Sequence, residues 1–60
     1  MIKVIFTDGS EMTFHGTEAK HDPNYRRFLI TQPGSKYTTI ILDSNVKACG
    51  VWDKEKNEFA

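Results

Sequence analysis

The sequence predicts an all-β fold: one small domain of five antiparallel strands in a meander that closes into a partly open barrel. Three observations carry this expectation. Short runs rich in Val, Ile, Thr, Phe and Tyr recur along the chain. Turn signals such as Asp8-Gly9 and Pro33-Gly34 separate them. Within the runs, apolar and polar residues alternate with the period of a strand. The domain is expected to span 1–53, and the charged stretch 54–60 to form a fraying tail held only by Phe59.

The first two strands are read from VIFTDGSEMTF. Asp-Gly between two such runs marks a hairpin. A two-residue loop would pair Phe6 with Glu11 and put the apolar side chains of the two strands on opposite faces. A three-residue loop, Thr7-Asp8-Gly9, keeps Ile2, Val4, Phe6, Met12 and Phe14 on one face. It requires Gly9 to be left-handed, which glycine tolerates. Asp8 is therefore expected to be a turn residue and not a catalytic acid.

GTEAKHDPN, from Gly16 to Asn24, reads as a long polar loop with a turn at Asp22-Pro23-Asn24. Tyr25 to Gln32 reads as the third strand. Pro33-Gly34 suits a type II turn. Lys36 to Asp43 reads as the fourth strand and Val46 to Asp53 as the fifth, with a break at Asp43-Ser44-Asn45. Gly50 marks a possible bulge or bend. The expected core is Ile2, Val4, Phe6, Met12, Phe14, Phe28, Ile30, Ile40, Leu42, Val46, Ala48 and Trp52.

TTIILDSNVKACGVWD resembles the closing segment of Sm-like and Src-homology-like small barrels, where a strand, a tight turn and a last strand close the fold. VIFTDGSEMTF is similar to the first hairpin of such barrels. The resemblance implies the fold; the RNA-binding signatures of the Sm family are not recognisable here, and no RNA-contacting residue is implied. The size and style also resemble accessory proteins encoded by bacteriophages.

Composition narrows the function. A chain of 60 residues buries only about 60% of its unfolded surface, so self-association is the available way to enlarge the core. Cys49 is the only cysteine, which argues for a reducing compartment and a cytoplasmic location. No apolar run is long enough to span a bilayer, and no leader pattern is recognised. The formal net charge is +0, which weakens a nucleic-acid reading without removing it.

Candidate chemistry is sparse. His15, His21, Asp22 and Cys49 are metal-ligand types without the spacing of a metal site. Cys49 sits in a strand between Ala48 and Gly50, where a thiol acts as a small hydrophobe. No nucleophile elbow, P-loop or dinucleotide fingerprint occurs. No enzyme, metal or cofactor is expected. One local cluster, Lys20, His21, Tyr25, Arg26 and Arg27, completed by Lys36 or Tyr37 from the next strand, has the cations and the aromatic ring for a nucleotide or nucleic acid. Against it stands pairing of the arginines with Glu18 and Asp22. Ile5, Leu29, Ile41 and Val51 are left outside the expected core and together would mark a protein interface. Protein–protein contact, including self-association as a homo-oligomer, is the leading expectation. Its mechanism would be occlusion through an outer apolar patch and a sheet edge, as in an accessory factor that blocks a host protein, and an open edge strand could also pair with another copy.

Overall fold

The alternation across Ile2–Phe14 does set the first hairpin. In the computed structural model, which describes residues 1–16 and 18–60, β1 (Ile2–Phe6) pairs antiparallel with β2 (Glu11–Phe14), Val4 facing Met12 and Ile2 facing Phe14. Phe6 N donates to Ser10 O at 2.8 Å and Gly9 N to Phe6 O at 3.0 Å, closing a three-residue loop with Gly9 at φ 90. Asp8 Oδ1 accepts from Ser10 Oγ at 2.6 Å and Ser10 N at 2.8 Å. These bonds, the hydroxyl's first, hold the Asp8 carboxyl below its ordinary pKa.

Five more strands follow: β3 (Ala19–Asp22), β4 (Arg27–Thr31), β5 (Thr38–Leu42), β6 (Val46–Asp53) and β7 (Glu58–Phe59). A 3₁₀ turn, Asp43–Asn45, links β5 to β6. One sheet has the order β2-β1-β6-β7 and the other β3-β4-β5, all pairs antiparallel. Ile2, Val4 and Phe14 from the first sheet and Ile30 from the second form the buried core. Phe6, Ala19, Ile41, Val46 and Cys49 pack against it. Full burial of side chains the size of Ile2 or Ile30 stabilises by about 1.5–3 kcal/mol each.

The described residues form seven strands where five were expected, and the structure corrects the reading of β3, the start of β4, β5, β6 and the stretch 54–60. The polar stretch from Gly16 to Asn24 is not all loop, because Ala19–Asp22 is a strand facing β4. Its composition hid it: the inward positions are Ala19 and His21, and the outward ones are charged. The expected third strand begins later, at Arg27, and Pro23–Arg26 is the hairpin turn.

The phase of β5 is opposite to expectation. Thr39 faces Ile30 and Ile41 faces Phe28, so Ile41 packs on the core while Ile40 and Leu42 point outward, each 56% exposed. The register follows from the connection of Gln32 to Tyr37, which spends its residues on the Pro33-Gly34 turn (Gly34 φ 76, Ser35 N to Gln32 O 3.1 Å) and on a Ser35–Tyr37 turn.

The phase of β6 changes along its length. A register shift falls where Ile5 faces Ala48 but Phe6 faces Val46, leaving Lys47 as the extra residue of a bulge. Val46 and Cys49 therefore both reach the core, and Ala48 and Trp52 do not. Met12 lies on the expected face, but β2 is an edge strand and Met12 is half-exposed.

The stretch 54–60 does not fray. Asp53 Oδ1 accepts from Glu55 N at 3.0 Å and Lys56 N at 3.2 Å, and the chain returns as β7. Phe59 meets Trp52 edge-on at 5.0 Å, and Lys3 lies 3.8 Å over the Trp52 ring. The Phe59 ring lies over Gly50, where a Cβ would meet it at 3.5 Å, an ordinary van der Waals contact.

The β3–β4 and β6–β7 turns share one design. In each, the aspartate ending the first strand accepts from the N–H groups two and three residues on. In each, the residue before the next strand is left-handed, Arg26 at φ 53 and Asn57 at φ 56.

Candidate interaction surface

The outer face of the β3-β4-β5 sheet is set by the pairing of its strands. Facing residues share a side, so Lys20, Leu29 and Ile40 form one row, and Asp22, Arg27 and Leu42 the next. Thr31 and Thr38 form a third, their hydroxyls 3.2 Å apart. Ile40 and Leu42 are exposed here and Leu29 is half-buried. Toward the threonine end the face dips into a shallow concavity of about 430 Å³, with Leu29, Lys20, Thr31, Pro33 and Thr38 in its lining. Tyr25 and Tyr37, 70% and 83% exposed, stand at opposite ends of the sheet, in the turns that flank β4.

The structure divides the basic cluster. His21 lies on the Phe28 side of the sheet yet stays exposed, its Nε2 2.9 Å from Asp43 Oδ2 and its ring 4.7 Å from that of Phe28. Arg27 Nε donates to Asp22 Oδ2 at 3.4 Å while its guanidinium lies 4.7 Å over Tyr25. Tyr25, Arg26 and Arg27 are thus together at one hairpin tip. Lys20 lies on the outer face, and Lys36 follows the far end of β4, about 13 Å away along a strand of this length. Of the expected partners, Asp22 does pair with Arg27. Lys20, Arg26 and Lys36 have no ion pair among the described residues.

The four expected interface residues also separate. Leu29 is on the outer face just described. Ile5 is half-buried on the outer side of the other sheet, facing Ala48 and Glu11. Val51 faces Ile2 and is 38% exposed. Ile41 is withdrawn from the surface, because the inverted phase of β5 sends it to the core. The residues that replace it, Ile40 and Leu42, belonged to the expected core. The length of the β4–β5 connection was the only sequence signal for them, and it was compatible with either phase.

Cys49 is half-buried, and burial pushes its thiol above the ordinary pKa. Among the described residues there is no group of three or more His, Cys, Asp or Glu side chains placed to hold a metal ion. Among the described residues, no helix is long and apolar enough to cross a membrane. The fold and the surface define the class, a small two-sheet all-β protein with a cluster of apolar side chains, Leu29, Ile40 and Leu42, among polar ones on the outer face of one sheet. No family model, no curated protein and no solved structure matches the chain.

Proposed function

We propose that the chain is a non-enzymatic binding module that works by protein–protein contact through the outer face of the β3-β4-β5 sheet. The observation that carries this reading is the exposure of Ile40 and Leu42 beside Leu29 on a regular sheet face. Adjacent apolar side chains on a rigid surface, rimmed by Lys20, Arg27 and exposed tyrosines, have the composition of a contact site. Such a module acts by covering a partner's surface, as an accessory factor blocking a host protein would. The reading includes a finer view of the fold: β2 and β3 are two halves of one strand bent at Gly16, and the sheets they belong to join into a partly open barrel. Gly16 at φ 142 and the 3₁₀ turn between β5 and β6 support it.

A nucleotide or nucleic-acid reading through Lys20, His21, Tyr25, Arg26, Arg27 and Lys36 has less support. His21 and Arg27 already have carboxylate partners, and the free cations are spread along the sheet. The two readings separate in a pull-down from bacterial lysate with tagged wild-type, Leu29→Glu and Arg26→Ala/Lys20→Ala chains. A bound protein that survives nuclease and high salt, is lost with Leu29→Glu and is kept by the double alanine variant is the expected result. A complex that disappears on nuclease treatment, or weakens steeply with salt, overturns it.

A further inference from the structure

The outer strands of the two sheets differ in how they treat their free edges. β2 carries Glu11, and the N–H of His15 just beyond it is taken by Gln32 Oε1 at 3.2 Å. β3 carries Lys20, His21 and Asp22, and β7 is only 2 residues long. Charge, capping and shortness are the means by which an edge is made unattractive to another strand. β5, Thr38-Thr39-Ile40-Ile41-Leu42, has none of them: 5 residues, no charge, no proline, and, among the described residues, paired with β4 alone.

One hydrogen bond fixes which of its backbone groups are free. Asp43 N donates to Arg26 O at 2.9 Å, which continues the β4–β5 register by one step. In an antiparallel ladder the residues that turn their N–H and C=O toward the partner alternate. Thr39 and Ile41 therefore bond β4, and Thr38, Ile40 and Leu42 direct theirs to the open edge. Among the described residues, no backbone bond to a turn or loop uses them. The same three residues carry the outward side chains.

We propose that this edge pairs antiparallel with β5 of a second copy of the chain, about a two-fold axis at Ile40. The pairing sets Ile40 against its own counterpart and Thr38 against the counterpart of Leu42. Two bonds per facing pair over three pairs make about six backbone hydrogen bonds. It sets no like charges opposite one another. The antiparallel direction brings the Lys36 end of each edge to the Asp43 end of the other, a favourable match of sign. The proposal rests on the protein-contact reading and names one partner for it. The two β3-β4-β5 sheets become one sheet, and Leu29, Ile40 and Leu42 of both copies line a single apolar face.

Light scattering on the eluting intact chain, over about a hundredfold range of concentration, tests this, because a dimer responds to concentration by mass action. A concentration-dependent dimer is expected. Ile40→Pro removes an N–H that no bond among the described residues uses, at an edge position where proline is tolerated. It should keep the β-sheet circular dichroism and weaken the dimer at least about tenfold. Leu29→Glu, on the face and away from the edge, should leave the dimer intact. The register is checked in a Cys49→Ser background. Ile40→Cys should form an intermolecular disulfide on mild oxidation, because facing Cα atoms in a hydrogen-bonded pair lie about 5.5 Å apart. Leu42→Cys should not. A wild-type chain that stays monomeric throughout, or a cross-link through Leu42→Cys in place of Ile40→Cys, overturns the proposal. So does a dimer that persists in folded Ile40→Pro; if that variant unfolds, the cysteine pair decides. A monomer that still captures a foreign protein through Leu29 overturns self-pairing alone. A β5-paired dimer that captures none overturns only the foreign-partner reading.

Discussion

Two residues carry backbone or burial costs that measurement can read. Arg26 occupies a left-handed conformation that a side chain with a Cβ adopts at a cost. Asn57, in the equivalent place of the other turn, is a residue type that tolerates it. Arg26→Gly is expected to stabilise by about 0.5 kcal/mol, after the larger unfolded-state entropy of glycine is counted. Thermal unfolding would then shift upward by about 2–4 °C, and Asn57→Gly would shift it less. Cys49 is the other case. Burial raises its thiol pKa above the ordinary 9.0, so the folded chain holds that proton more tightly than the unfolded chain. Its contribution to stability is fully present below the unfolded value and is lost as pH rises through the folded one. Denaturant melts should show falling stability above about pH 9. Ellman's reagent should react with native Cys49 more slowly than with the unfolded chain at pH 8.

At the scale of strands, the two faces of β5 make opposite predictions. Ile41 packs on the core and Ile40 points to solvent. Ile41→Ala should destabilise by about 2 kcal/mol. Ile40→Ala, followed by urea unfolding in dilute solution, should change stability by no more than about 0.5 kcal/mol. Equal losses would mean that the phase of β5 is that of the simple alternating pattern. That pattern was reliable for β1 and β2, because a short loop with one glycine leaves a single register that gathers the apolar residues. It failed for β5 because Thr39 and Ile41 are as strand-prone as Ile40 and Leu42, and composition does not say which pair faces inward. It failed for β6 because a bulge at Lys47 changes the phase midway, and nothing in the residue types around Lys47 announces a bulge. β3 and β7 escaped because their strand character comes from pairing with β4 and β6 and not from their own composition. The candidate surface was legible only through Leu29 and the basic hairpin tip; Ile40 and Leu42 depended on the β5 register.

At the scale of the whole molecule, the core is small and lies between sheets whose strands come from both halves of the chain. Ile2, Val4 and Phe14 close against Ile30, and aromatic packing of Trp52 on Phe59 covers the outer side of the first sheet. The position of β1 between β2 and β6 has a consequence in time. The β1–β2 hairpin is local and forms on the microsecond scale. The other side of β1 waits for Val46–Asp53, so the first sheet completes only after a long loop closes. Refolding should therefore run in milliseconds to seconds despite the short chain, visible as one slow phase in stopped-flow Trp52 fluorescence. Until then the hairpin offers β1 as an unpaired edge, so a nascent or refolding chain is most exposed to mispairing in the interval before its last third arrives.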